Sequence, residues 1–215
     1  MHPRAIVFDF DGVVIESVRA KGEAFRRLFA EWPDHLDPIE RFHYDNGGLS
    51  RYDKFTWIYR ELLRAPLAAA EMAALDRRFG LLVADAVRTC PFVPGAREFI
   101  DRHAGMEPLF IASGTPEIEL REIVADRGLA RLFDGIYGAP REKAAMLAAI
   151  AAEIGAPPAE LLFVGDGRQD YDAARQIGVP FVARVATGAP NRFPGSRMIV
   201  ADLAELQERW AELAC

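Results

Sequence analysis

Cysteine is scarce in this 215-residue chain: there are two, Cys90 and Cys215, alongside four histidines. Two thiols so far apart make neither a disulfide framework nor a metal knuckle, and a reducing compartment suits them. No apolar run approaches the ~18 residues of a membrane-spanning helix, and no charged and then apolar leader precedes Asp9. Clustered lysine and arginine are also missing, and the net charge is −6. Nucleic acid and anionic membranes are therefore not expected as partners. A soluble cytoplasmic protein, monomer or homodimer, is the expectation. Its 51% hydrophobic content is enough for one large domain or for a domain with an insertion.

What the chain does have begins at AIVFDFDGVVIES. Ala5 to Phe8 is a short, wholly apolar run, the pattern of a strand buried on both faces of a parallel sheet. Asp9 follows at its carboxyl end, where ligands of open α/β sheets collect. With Phe10 between them, Asp9 and Asp11 leave the strand end on the same side, and Gly12 lets the chain turn away. Acids and a glycine also make ordinary surface turns, so the pair needs support from elsewhere.

Residues 16–90 read as helical throughout. Ser17 is placed to cap a helix running to Ala30, with Ala20, Ala24, Phe25, Leu28 and Phe29 at helical spacing, and Trp32-Pro33-Asp34 ends it. His43 to Gly48 reads as a loop, followed by helices from Tyr52 to Leu63 and from Ala68 to Val87. Pro91-Phe92-Val93-Pro94-Gly95 suits a hinge. Beyond it, helices and strands alternate. Helices are expected at Ala96 to His103, Pro116 to Asp126 (capped by Thr115), Arg141 to Ile154, Arg168 to Ile177 and Leu203 to Leu213. Strands are expected at Pro108 to Ala112, Gly135 to Tyr137, Leu161 to Val164, Pro180 to Ala183 and Met198 to Val200. Such alternation predicts an α/β fold: a Rossmann-like parallel sheet with helices on both faces, and a small all-helical domain inserted after the first strand. Residues 1–15 and 91–215 would form the sheet domain and residues 16–90 the insertion.

Polar clusters follow the strands. Ser113-Gly114-Thr115-Pro116 leads into a helix N-terminus, where free N–H groups favour an anion, although a plain capping turn has the same composition. Arg141-Glu142-Lys143 places a lysine in a first helical turn, as many solvated surfaces do. Gly165-Asp166-Gly167-Arg168-Gln169-Asp170 sets two acids four residues apart, which an acidic helix start would also explain.

In this order the segments FDFDGVVIES, FIASGTP, YGAPREK and FVGDGRQDYDAA resemble the four motifs of the haloacid dehalogenase superfamily, in the branch of phosphoglycolate phosphatases and β-phosphoglucomutases with a helical cap. The resemblance spans the whole chain. It implies a Mg²⁺-dependent phosphatase acting on a small phosphorylated metabolite through an aspartyl-phosphate. Asp9 would be the nucleophile and Asp11 the general acid and base. Ser113, the N–H of Gly114 and Lys143 would hold the phosphoryl oxygens. Asp9, the backbone carbonyl of Asp11 and Asp166 would bind Mg²⁺, with Asp170 in support. Independently of the family, each close pair of carboxylates repels by about 4 kcal/mol at an effective dielectric near 20. A divalent cation offsets that, and oxygen-only ligands favour Mg²⁺ over zinc.

Two related chemistries compete. Dehalogenases of 2-haloacids lack the second acid of the first motif, which Asp11 supplies here. Phosphomutases carry a G-x-S-R-x-x-S-L cap segment; Gly48 to Phe55 matches it at Arg51 but not at Lys54 or Phe55, and Lys21 stands where those enzymes have a histidine. Hydrolysis is favoured. Glu16, Lys21, Asn46, Arg51 and Lys54 are the polar residues expected to face the substrate from the insertion, and Arg51 in particular suggests a second anionic group. His35, His43 and His103 have no evident role. Phe25, Phe29, Trp57 and Tyr59 are expected in the core of the insertion.

Overall fold

In the computed structural model, which describes residues 2–214, Ala5–Phe8 (β1) lies at the centre of a six-stranded parallel sheet and all four residues are buried. Cys215 lies outside the described residues. The other strands are Leu109–Pro116 (β2), Gly135–Ala139 (β3), Leu161–Gly165 (β4), Phe181–Arg184 (β5) and Met198–Val200 (β6). Their order across the sheet is β3-β2-β1-β4-β5-β6, with every pairing parallel. The chain therefore winds outward in one direction from β1 through β2 to β3 and in the other from β4 to β6. The reversal opens a crevice beyond the carboxyl ends of β1 and β4.

Side chains alternate across the sheet with a period of two. Ile6 and Phe8 face one core with Leu109, Ile111, Leu162 and Val164. Ala5 and Val7 face the other with Phe110, Ala112, Leu161 and Phe163. Helices cover both faces: Ala96–His103 (α5), Glu117–Asp126 (α6) and Leu203–Glu208 (α9) on the first, Lys143–Glu153 (α7) and Arg168–Ile177 (α8) on the second. Helix α9 gives way to a 3-10 turn, Trp210–Ala214, before the expected end at Leu213.

Between β1 and α5 the described chain forms Val18–Leu28 (α1), Leu36–Asp45 (α2), Arg51–Trp57 (α3, continued by a π-helical turn to Leu63) and Ala69–Thr89 (α4). Their shared core is aromatic, with Phe25 at 4.6 Å from Phe79 and 5.7 Å from Phe55 between ring centroids. Trp57 stacks on Phe42 at 3.7 Å. Helix α2 takes in His43 to Asp45 of the loop expected over His43 to Gly48, and the remainder is a turn. The helix's polar sequence disguises it, and what holds it is burial of Ile39 and His43. The two crossings between this helical stretch and the sheet run side by side: Ile15 bridges Phe92, and Glu16 N–H donates to the Pro91 carbonyl at 3.0 Å.

One boundary shift affects chemistry. Strand β2 continues through Ser113, Gly114 and Thr115, so α6 starts at Glu117 and Thr115 is no helix cap. Ser17 likewise makes no side-chain cap bond to α1. Both hydroxyls are bound to Asp11 instead.

Candidate active site

Four strand ends place the polar clusters together. Asp9 follows β1 directly, with only 2% of its surface exposed, and one of its carboxylate oxygens accepts from the Phe10 N–H at 2.7 Å. Asp166 follows β4, and Asp170 sits in the first turn of α8, wholly buried. Asp9, Asp166 and Asp170 each offer an oxygen, and those oxygens lie within 4.8 Å of one another. Lys143, the first residue of α7, reaches back into this cluster, 2.9 Å from Asp9 and 2.7 Å from Asp170. Ser113 is fully buried on β2, its oxygen accepting from Thr115 N–H at 3.2 Å.

The electrostatics follow from crowding. Burial, and then Asp170, push the Asp9 carboxyl well above the usual carboxylate range. The same two causes raise Asp166 to about 7. Burial alone would lower the Lys143 ammonium, but Asp170 and Asp9 outweigh it and the group is raised. One lysine among three acids leaves excess negative charge. Consistent with that, one oxygen of Asp166 is buried without a hydrogen-bond partner among the described residues. Three oxygen donors, excess charge and an unpaired oxygen fit a hard divalent cation.

Backbone shape is part of the site at Gly12. Its φ is +76°, and a Cβ there would sit 2.1 Å from an Asp166 oxygen. Only glycine lets the turn after Asp11 pass beneath that carboxylate.

Asp11 stands apart from the three clustered acids. Lys21 Nζ lies 2.5 Å from its carboxylate, Thr115 donates to it at 2.8 Å, and Ser17 donates in a short bond. Burial pulls its pKa upward, but Lys21 and these hydroxyls prevail and hold it at about 2. Lys21, Thr115 and Ser17 thus orient the Asp11 carboxylate, and no local pattern marks Ser17 or Thr115, both of which look like helix caps, for that part.

The residues expected to face the substrate divide. Lys21, Arg51 and Lys54 line a cavity of about 480 Å³ together with Asp9, Asp11 and Ser113. Glu16 and Asn46 do not line that cavity and are engaged with the sheet domain instead: Glu16 pairs with Arg184 at 2.6 Å, and Asn46 accepts from Gln169 of α8 at 2.9 Å. Arg51 touches the cavity yet is committed to Glu119 of α6 at 2.6 Å and Asp76 of α4 at 3.2 Å, over the Phe79 ring. It ties the helices to the sheet, because two carboxylates already use its fork. Gly48 closes the roof so tightly that a Cβ on Gly167 would lie 2.7 Å from its nitrogen. His43, unassigned from sequence, also lines the cavity.

A model of the haloacid dehalogenase-like hydrolase family matches residues 3–178. Among curated proteins, the chain is 28% identical over 184 residues to a phosphoglycolate phosphatase of Synechococcus elongatus, covering 84% of this chain and 82% of that protein. It is 25% identical over 193 residues to an (S)-2-haloacid dehalogenase of Xanthobacter autotrophicus, covering 85% and 75%. Among solved structures, CbbY from Rhodobacter sphaeroides in complex with phosphate superposes with a TM-score of 0.77 at 18% identity, covering 95% of this chain and 96% of that one.

Proposed function

The chain belongs to the haloacid dehalogenase-like hydrolases, and we propose that it is a Mg²⁺-dependent phosphatase of a small phosphorylated metabolite, of the phosphoglycolate or sugar phosphate class. The observation that carries this is the convergence of Asp9, Lys143, Asp166 and Asp170, with Asp11 and the buried Ser113 lining the cavity beside Asp9. The resemblance implies that a dehalogenase lacks the second acid of the first motif, and Asp11 stands at that position here, which favours phosphate-ester hydrolysis over the reaction of the haloacid-cleaving relative.

Asp9 is the nucleophile: a carboxylate oxygen attacks phosphorus as the bond from phosphorus to the alcohol oxygen breaks, leaving an aspartyl-phosphate. Asp11 gives a proton to the departing oxygen. It then takes one from the water that attacks the phosphoenzyme and frees Asp9. Held near pKa 2 by Lys21, Asp11 is ionised in this arrangement, as the second step needs. For the first step it must take up a proton from solvent, and the negative charge of an arriving phosphate raises its pKa toward that state. Ser113, Gly114 and Lys143 hold the phosphoryl oxygens, and Lys143 keeps its charge throughout because two acids flank it. Mg²⁺ would be held by Asp9 and Asp166, with Asp170 supporting, and would supply positive charge against that of the acids and the phosphate. The helices between residues 16 and 90 act as a cap that excludes water from the cavity beside Asp9.

The test is phosphate release from a panel of phosphorylated metabolites with Mg²⁺, repeated after chelation with EDTA. Turnover should need the metal and return with it. No release from any compound, or full activity after chelation, refutes the proposal.

A further inference from the structure

Lys54 is buried to within 3% of its surface, on the wall of the cavity that α3 contributes. Among the described residues no carboxylate pairs with it, whereas the other cations of the site are all paired: Lys21 with Asp11, Lys143 with Asp9 and Asp170, and Arg51 with Asp76 and Glu119. Its partner is His43, whose Nδ1 lies 3.1 Å from Lys54 Nζ. The other ring nitrogen, Nε2, is 3.0 Å from the Val18 carbonyl. A carbonyl only accepts, so Nε2 carries the ring hydrogen and Nδ1 is the bare nitrogen that accepts from Lys54. Burial, then Lys54 itself, hold His43 down at about 3, so the ring is neutral. The pair leaves Lys54 with two N–H donors and, among the described residues, no carboxylate at ion-pairing distance, although Asp9 and Asp11 stand on the same cavity wall.

An unpaired buried ammonium is costly, and this one shares a cavity with the nucleophile while the phosphoryl place is already provided by Ser113, Gly114 and Lys143. We propose that Lys54 is the specificity-determining residue, receiving a second anionic group carried by the non-reacting end of the substrate, and that His43 is the positioning residue that aims it. Two free N–H donors on Lys54 match the two oxygens of a carboxylate, which is taken as that group. Arg51, the other candidate in the helical stretch, is taken up by its two acids. Helix α3 delivers Lys54 as one of its buried residues, with the ammonium 5.8 Å from the centre of the Phe25 ring. The proposal rests on the phosphatase assignment above and names the substrate class.

The experiment compares 2-phosphoglycolate with 2-hydroxyethyl phosphate, which has the same length but no carboxylate, and adds a bisphosphate of similar length as a third arm. Wild-type protein should prefer the carboxylate compound in kcat/KM. Lys54→Gln and Lys54→Met should lose about 10- to 100-fold on it, mostly in KM, the range of a charge-assisted contact, and change less than about threefold on the hydroxyethyl compound. His43→Leu should raise KM for the carboxylate compound, and His43→Asn, which retains an acceptor near the Nδ1 position, should restore most of it. Preference for the bisphosphate keeps the role of Lys54 and overturns the choice of carboxylate. Equal losses on all compounds, or no preference in the wild type, overturn the proposal while leaving the phosphatase intact. No phosphate from any compound overturns the phosphatase itself.

Discussion

Replacing Lys54 with methionine should make the protein more stable, and by an amount that depends on pH. Burial, and then the like charge of Lys21, push the Lys54 ammonium from its ordinary 10.5 down to about 7. At 1.36 kcal/mol per pH unit that fall corresponds to about 5 kcal/mol against the charged form in the folded protein. The sign follows from proton counting. Between about 7 and 10.5 the unfolded chain binds the proton and the folded chain does not, so the wild type gains stability as pH rises through that window. Below about 7 both states are charged and the folded state bears the full cost. Methionine keeps the stem's volume without an ionisable group, and such replacements of buried charge typically gain ~1–4 kcal/mol. The difference between variant and wild type should then shrink by about 2–3 kcal/mol from pH 6 to pH 9, a change in which the packing of methionine cancels. Urea titrations of both proteins at the two pH values measure it. A difference that stays constant within error, or grows with pH, would refute the claim that Lys54 is an unpaired buried cation. Stability given up at a residue proposed to receive substrate is the ordinary trade between stability and activity.

The same titration should reach binding. KM for a carboxylate-bearing substrate should climb toward tenfold per pH unit above about 7 as Lys54 loses its proton, and Lys54→Met should show no such slope. The groups facing Lys54 are neutral His43, Lys21, and the acids Asp11, Asp166 and Asp9, of which only Lys21 pushes its proton off with the burial; parallel profiles in both proteins would assign the slope to another of them. Asp9→Asn should lower phosphate release by at least about 10³-fold, yet leave the melting temperature in metal-free buffer unchanged or higher, because it removes a charge crowded by burial and Asp170. Residual turnover above about 1% of wild type, with contamination excluded, would show that Asp9 is not the nucleophile. Gly12→Ala should cost about 2–4 kcal/mol in urea titrations and weaken Mg²⁺ activation, since its φ is +76° and the new methyl would strike Asp166; wild-type stability and metal dependence together would refute the close approach.

Most of the sheet was legible because its strands are short apolar runs, and a strand buried on both faces announces itself without neighbours. The alternation of elements then dictated the doubly covered sheet, and the acids, serine and lysine appeared in order after the strands. Less legible were the ends of elements. Thr115 in SGTP looks like a cap by every local rule, and it remains in β2 because pairing with β3 resumes at Pro116 and Ala139 and its hydroxyl meets Asp11. Helix α2 was missed for a similar reason: LDPIERFHYD has few apolar residues, and what stabilises it is the side of α1 that it covers.

The sequence by itself determined the fold class and the chemistry's inventory, because a strand's burial and the residue following it are local facts. Partnership was decided only in three dimensions. Nothing local distinguishes Arg51 from Lys54, two cations three residues apart on one helix, yet Glu119 and Asp76 neutralise the first while among the described residues the second pairs with a neutral imidazole and no carboxylate. Charge is a property of a residue, but whether that charge is spent depends on which oxygens stand within about 4 Å, and those come from helices far away in the chain.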